Sequence, residues 1–219
     1  MTDPLRPAVR HGVDLAAHVE RQLEAIVPAP ASVACQGVAP HVDAALARLS
    51  SILRSVRIFD PDVFDPYHAL QYASFLYLLG NEAWRQAPGS PIVDRLFILN
   101  RALNSLDLYP ATPMPEIFFL SHALGAVLGN ATYGERLVIF QNVTVGRIGE
   151  NRPQIGENVV LYPGASVTGR SRIGRGAVIA SGTRIHNIDV PDNCIASLSN
   201  GKIEISERPR DFADLYFRT

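Results

Sequence analysis

Up to about residue 105, apolar side chains recur at intervals of three and four. The segments DLAAHVERQLEAIV (14–27), HVDAALARLSSILRSV (41–56), YHALQYASFLYLLGNEAWR (67–85) and PIVDRLFILNRALN (91–104) each gather them on one face of a helix. The stretches PAPAS, DPDVFDP and APGSP, rich in proline and glycine, predict the turns between these amphipathic helices. Beyond residue 107 the helical period gives way to a period of six. Ile155, Leu161, Val167, Ile173, Ile179 and Ile185 each follow the last by six residues, and the register breaks at Asp189. Upstream the same step recurs at Tyr133, Ile139 and Val145, and more loosely at Leu108, Met114 and Leu120.

A six-residue period has a simple physical meaning. Each hexad is a short strand and a turn, three hexads close one triangular coil, and coils stack through parallel ladders about 4.8 Å apart. The aliphatic residue of each hexad points inward. Four positions after it come Val159, Ala165, Ser171, Ala177 and Thr183, all small or β-branched, and glycine follows it directly at Gly156 and Gly174. Small side chains at these places allow tight corners that a bulky Cβ would obstruct. The expected architecture is α+β, with a helical domain over 1–105, a parallel β-helix over 106–200 and a tail over 201–219. In the tail, the segment after residue 200, including DFADLYF (211–217), is expected to cover the exposed β edge at the end of the stack.

Composition narrows the partners. The 219 residues are 47% hydrophobic and 19% charged, enough for a sizeable core. Net charge is −1 with no run of like charges, which argues against a nucleic-acid or anionic-membrane partner and leaves small anionic ligands open. Cys35 and Cys194 match no zinc or redox spacing and are read as structural. No signal-like stretch and no apolar run of about 18 residues stands in the sequence, so the expected location is cytoplasmic.

The chemistry rests on motifs. His122 lies in FFLSHALGAVLG (118–129), and IFQNVTVG follows at 139–146. HALGAVLG resembles the H-A-T-G-I-V-V-G stretch, and IFQNVTVG the I-L-Q-S-V-T-L-G stretch, of the serine acetyltransferases, members of the hexapeptide-repeat acyltransferases. Asp107 in LDLYP resembles the aspartate of that family's D-I-H-P segment, at the same interval of fifteen residues from the histidine. DPDVFDPY (60–67) resembles a D-P-x-V-D-x-Y segment with one residue inserted. The resemblance runs from about residue 60 to 205. It implies a left-handed β-helix, acetyl-CoA as acyl donor and a small hydroxylated acceptor. It also implies His122 as general base and Asp107 as the residue that fixes its tautomer. An imidazole suits that role because its ordinary pKa of about 6.5 leaves it neutral yet basic near pH 7. Spacing alone does not pair the two, since residues 18 apart stack in a regular coil.

The sequence also departs from the family. Where the family has a second histidine in D-R-H-P, ENRPQI (150–155) has Arg152, with Asn151 in place of the arginine, and the loop is about four residues shorter. Arg152 cannot act as a base but can pair with a carboxylate or stabilise an oxyanion. The acidic residue before the catalytic histidine is Ser121 here, which removes a contact to a substrate ammonium group; Asp60 is the remaining candidate for that contact. These changes put L-serine as acceptor in question.

On the donor side, LYPGASVTG (161–169) and IASGTRI (179–185) resemble the family's pantetheine-lining segments, which makes Gly164, Ala165 and Ser181 the expected groove. Arg170, Arg172, Arg175 and Lys202 are cations within reach of nucleotide phosphates, and Arg175 and Lys202 are carried forward. His186 is read as an outward turn residue, and no metal site is expected. Carbonic anhydrase, which shares the scaffold, would need three metal-binding histidines, whereas only His122 and His186 lie in the β-helix. The alternatives are acetylation of a sugar or glycan and a catalytically degenerate paralogue that binds or assembles. The resemblance implies a homotrimer or a dimer of trimers.

Overall fold

The computed structural model describes residues 6–30, 37–207 and 211–218. Cys35 lies outside them. A short parallel pair, β1 (Ala8–Val9) with β2 (Val63–Phe64), joins the first residues to the loop that follows the second helix. The helices are α1 (Leu15–Ile26), α2 (Ala39–Ser55), α3 (Ala69–Gln86) and α4 (Pro91–Asn104). Their starts follow local chemistry. The Asp14 carboxylate accepts the Ala17 N–H at 3.1 Å as an N-cap, and prolines open α2 and α4, where a missing N–H is harmless.

Helix α3 is the hub, with every residue from Gln71 to Ala83 buried between α2, α4 and the β-strands. Its polar groups are accordingly satisfied. Arg48 reaches Asn81 and Glu82, both at 2.6 Å, and Asn81 also donates to the Pro110 carbonyl at 2.6 Å. Gly80 lets Pro110 close in, since a Cβ there would sit 2.9 Å from its Cγ. The Tyr77 hydroxyl donates to the Thr112 carbonyl at 2.7 Å. These contacts fix residues 105–112 at the entrance of the β-helix.

The strands that follow are β3 (Phe118–Leu120), β4 (Val127–Leu128), β5 (Thr132–Tyr133), β6 (Leu137–Ile139), β7 (Thr144–Gly146), β8 (Gln154–Ile155), β9 (Val160–Leu161), β10 (Ser166–Thr168), β11 (Arg172–Ile173), β12 (Val178–Ile179), β13 (Arg184–His186), β14 (Cys194–Ser199) and β15 (Lys202–Glu207). They form three faces of a parallel solenoid, in the orders β3-β6-β9-β12-β14, β4-β7-β10-β13 and β5-β8-β11. The hexad register holds. Leu120, Ile139, Leu161 and Ile179 stack on one face and Leu128, Val145, Val167 and Ile185 on the next, all buried. Ile173 pairs with Val190 rather than with residue 191, which is the break expected at Asp189.

Two details refine the hexad reading. The glycines at the second position are required by stacking rather than by turning: a Cβ on Gly156 would lie 2.8 Å from the backbone nitrogen of Arg175 in the next coil. The corners themselves often use asparagine in the left-handed region, at Asn142, Asn158, Asn187 and Asn193. Asparagine tolerates that region better than most residues.

The tail divides in two. Strand β15 runs antiparallel to β14 and covers the last edge, as expected of the segment after residue 200. DFADLYF does something else. It descends to the helical domain, where Phe217 bridges Val56 and Arg57 N–H donates to the Tyr216 carbonyl at 2.8 Å. Its aromatic residues explain the path: Phe217 is fully buried, and the Tyr216 ring packs on Phe119 and Phe140. Helices, solenoid and tail share one continuous buried core from Leu15 to Phe217.

Candidate active site

Strand β3 ends at Leu120, whose side chain fills the solenoid core, and the ladder continues one residue further through the Ser121 N–H, which donates to the Ile139 carbonyl at 2.8 Å. His122 then adopts φ 50°, a left-handed conformation uncommon for a side chain of this size. The backbone turns outward and the imidazole is exposed on the corner between β3 and β4. This corner is longer than its neighbours. Eight residues separate the stacked Leu120 and Leu128, against six from Ile139 to Val145.

Hydrogen bonds pin the longer corner. Leu124 N–H donates to the His122 carbonyl at 2.7 Å, Gly125 N–H to the Ser105 carbonyl at 2.9 Å, and Asn142 N–H to the Leu124 carbonyl at 2.9 Å. Ser105 is the left-handed C-cap of α4, so the helix end itself braces the histidine.

His122 borders two recesses. One, of about 130 Å³, is apolar and lies toward the helices, walled by Leu70 and Ala73 of α3, Leu103 of α4, and Leu106, Leu120 and Leu124; the Asn104 carboxamide is at its edge. The other is an open groove bordered by Ser105, Leu124, Gly125, Gln141 and Asn142. Above it, Gly164 and Gly182 repeat the left-handed corner of Asn142, which makes a continuous edge of small residues up the solenoid.

Asp107 lies under this coil. Its N–H donates to the Ala126 carbonyl at 2.9 Å, and Leu128 N–H donates to the Asp107 carbonyl at 2.8 Å. Its carboxylate faces Arg101 Nε at 3.5 Å, and among the described residues the His122 imidazole has no hydrogen-bond partner. The structure therefore brings Asp107 and His122 to the same corner without joining their side chains.

The other expected site residues separate by location. Ser121 is only 6% exposed and borders neither recess. Asp60 is exposed, and its carboxylate accepts the Asp62 N–H at 3.1 Å. Arg152 is exposed beside a loop closed by reciprocal bonds between Ile148 and Asn151, at the corner between β7 and β8 rather than at that of His122. Gly164 and Ser181 do stand on the edge above the groove, but Ala165 does not serve it. That side chain is fully buried, its N–H donates to Tyr162 and its carbonyl accepts from Thr144, both at 3.0 Å. Arg175 stands at the corner between β11 and β12, and Lys202 opens β15 opposite Ser199, so neither joins Gly164 and Ser181 on one edge of this chain. His186 points outward, as expected, but from the last position of strand β13 rather than from a turn, and it is hydrogen-bonded to Thr168 at 3.1 Å.

Gln141 and Asn142, which border the groove, lie inside the motif IFQNVTVG that sequence singled out; Asn142 carried a signal as a corner residue. The walls of the apolar recess carried none, since three separate segments supply them. Among the described residues there is no cluster of histidine, cysteine or carboxylates able to hold a metal, and no helix is long and apolar enough to cross a membrane.

Comparison with known proteins agrees with the fold described above. Residues 152–187 match the family of the bacterial transferase hexapeptide (six repeats). The serine acetyltransferase of Synechococcus elongatus is 32% identical over 117 residues, covering 51% of this chain and 48% of that protein. The chain is similar to serine acetyltransferases over about half of its length and carries a hexapeptide-repeat segment. The Escherichia coli K12 serine acetyltransferase is 30% identical over 154 residues, covering 63% of this chain and 54% of that protein. The chain thus spans about half the length of the serine acetyltransferases it matches. The soybean serine acetyltransferase apoenzyme superposes with a TM-score of 0.60 over 75% of this chain and 69% of that one, at 24% identity, and so shares the fold of helices followed by a parallel solenoid.

Proposed function

We propose that the protein is an acyl-CoA-dependent O-acyltransferase that moves an acetyl group from acetyl-CoA to a small hydroxylated acceptor. The observation that carries this reading is the exposed imidazole of His122, without a hydrogen-bond partner among the described residues and held at a strained corner between an apolar recess and an open groove. The similarity to serine acetyltransferases supports it from the side of sequence.

In this reading the pantetheine arm of acetyl-CoA lies along the small-residue edge of Gly125, Asn142, Gly164 and Gly182, with its thioester at the groove. His122 takes the proton of the acceptor hydroxyl as its oxygen attacks the thioester carbonyl carbon. The resulting oxyanion collapses, the C–S bond breaks, and the proton passes to the departing thiolate. The products are an O-acetyl ester and CoA, with no covalent enzyme intermediate. Asp107 reaches His122 only if its carboxylate turns away from Arg101, an exchange that binding of substrates would drive.

A homotrimer, alone or paired as a dimer of trimers, fits the same reading. Arg152 and Arg175 lie on other corners of the chain, and a neighbouring copy can bring such corners to the groove. A cytoplasmic location accords with acetyl-CoA as donor.

One observation favours the non-catalytic alternative: Asp107 already has a cation partner, which leaves His122 without a fixed tautomer. CoA release from acetyl-CoA with a panel of amino-acid, sugar and simple alcohol acceptors separates the readings. His122→Ala is expected to lose about 10²- to 10⁴-fold in turnover. Undiminished activity in that variant overturns the proposed base, and silence with every acceptor together with no CoA binding favours the assembly role.

A further inference from the structure

His122 faces the apolar recess as well as the groove, and the two differ in chemistry. The groove continues into the edge of small, backbone-rich corners. The recess does not: α3 and α4 close it on the helical side, and its walls are Leu70, Ala73, Leu103, Leu106, Leu120 and Leu124. If the acyl donor lies along the edge, the recess is left for the acceptor.

What the recess lacks is as informative as what lines it. An amino-acid acceptor such as serine would need a carboxylate for its ammonium group near the histidine. Ser121 is buried and neutral, and neither Asp60 nor Asp107 borders either recess. The polar side chains at the rim are His122 itself and Asn104, whose Nδ2 donates to Asn100 at 2.8 Å. An empty apolar recess next to a base favours an apolar group. A cavity of about 150 Å³ lined by aliphatic side chains admits a benzene-sized molecule, and 130 Å³ is close to that.

We propose that this recess is an acceptor subsite for an apolar group of about four to six carbons, so that the hydroxyl compound acylated at His122 is an alkyl- or aryl-bearing alcohol rather than L-serine. The inference rests on the acyl-transfer reading of His122. The acceptor's apolar tail packs against Leu70, Ala73 and Leu106 and leaves its hydroxyl at the imidazole. The bond made is the ester C–O, the bond broken is the thioester C–S, and the hydroxyl proton leaves on CoA.

The test is CoA release by the full chain with acetyl-CoA and straight-chain primary alcohols from ethanol to octanol, with L-serine alongside. kcat/KM is expected to rise about fourfold per methylene, to level off near six carbons, and to exceed that for L-serine from butanol onward. Ala73→Met, which fills the recess, is expected to flatten the series, and Leu103→Asn, at its exposed rim, to lower it. A His122-dependent activity that is flat across the alcohols overturns the subsite and leaves the acyl-transfer reading standing. A rise with acyl chain length across acetyl-, butyryl- and hexanoyl-CoA at a fixed acceptor also overturns it, because the recess would then hold the acyl group.

Benzyl alcohol binding, followed by NMR on leucine methyl groups, gives a second arm that needs no turnover. Shifts at Leu70, Leu106 and Leu120 that Ala73→Met suppresses support the subsite even if the acyl-transfer reading fails. Unchanged methyl spectra overturn it. So does loss of an oligomer in sedimentation on Leu103→Asp with no alcohol binding in the wild type, since a second copy of the chain would then fill the recess.

Discussion

Nη1 of Arg218 donates to the carbonyl oxygen of Val56 at 2.7 Å, just beyond the C-terminus of α2. The same guanidinium reaches the carbonyls of Leu53, Arg54, Arg57 and Phe59 at 2.6–3.1 Å. A helix C-terminus has carbonyls without intrahelical partners and carries partial negative charge, and a fork of five N–H donors satisfies both conditions. The strap that begins at the top of the solenoid is thereby locked to the helical domain.

Arg218→Ala is accordingly expected to destabilise the chain by about 2 kcal/mol, seen as a lowered urea midpoint. Arg218→Lys should recover only part of this, because an ammonium group cannot span the same set of carbonyls. An unchanged midpoint in Arg218→Ala would show that the strap holds by Phe217 and Tyr216 alone.

Gly125 has φ +70°, and a Cβ there would run into the Asn142 side chain that faces it across the groove. Gly125→Ala should cost about 1 kcal/mol or more in stability and lower turnover by displacing the His122 corner. In an Asn142→Gly background the steric part should disappear and the φ penalty remain, so the alanine should cost less there. Equal costs in both backgrounds would refute the contact as the cause.

Burial lowers the pKa of His41 below its ordinary 6.5, with Glu82 and Gln86 opposing in part, and burial acts the same way on His18. The folded protein then keeps these imidazoles neutral at pH values where the unfolded chain protonates them. The stability they contribute is present above pH 6.5 and is lost as pH falls through their lowered folded values. Urea unfolding at pH 7.5, 6.5 and 5.5 should show this decline, and His41→Leu should make it shallower. A slope unaltered by the substitution would assign the decline to other groups.

The pair of Arg101 and Asp107 is partly exposed, so breaking it should alter stability by less than about 1 kcal/mol. Activity is the more sensitive readout. If Asp107 swings to orient His122, Asp107→Asn should lower kcat roughly ten- to hundredfold with KM little changed. Arg101→Ala, which frees the carboxylate, should leave kcat equal or raised. Equal effects of the two substitutions would make the pair purely structural.

Much of the scaffold can be read from periodicity, because both periods report which side chains face a core. The expected and observed helices differ by two residues or fewer at their ends, and the stacked columns run through Ile155, Leu161 and Val167 as the hexads require. The site is less legible where it breaks that regularity. The extra length between Leu120 and Leu128 lifts His122 out of the hexad, and no spacing rule announces a corner of that size. A small residue such as Ala165, buried here, reads the same in sequence whether it lines a groove or fills the core. DFADLYF has the composition of a cap but is drawn down to α2 by a buried Phe217 and by Arg218, which makes its contacts with backbone carbonyls that no sequence pattern marks.

Strand β15 has a consequence beyond covering an edge. A solenoid with a bare final rung offers the next molecule the same ladder that built it, and identical chains could add to it end to end. Here the last rung is reversed in direction, and Lys202, Glu204 and Glu207 stand exposed along it. At the opposite end α3 packs directly on β3. On this one face of the solenoid both ends of the ladder are therefore occupied within one chain, which removes it as a template for end-to-end addition of identical chains.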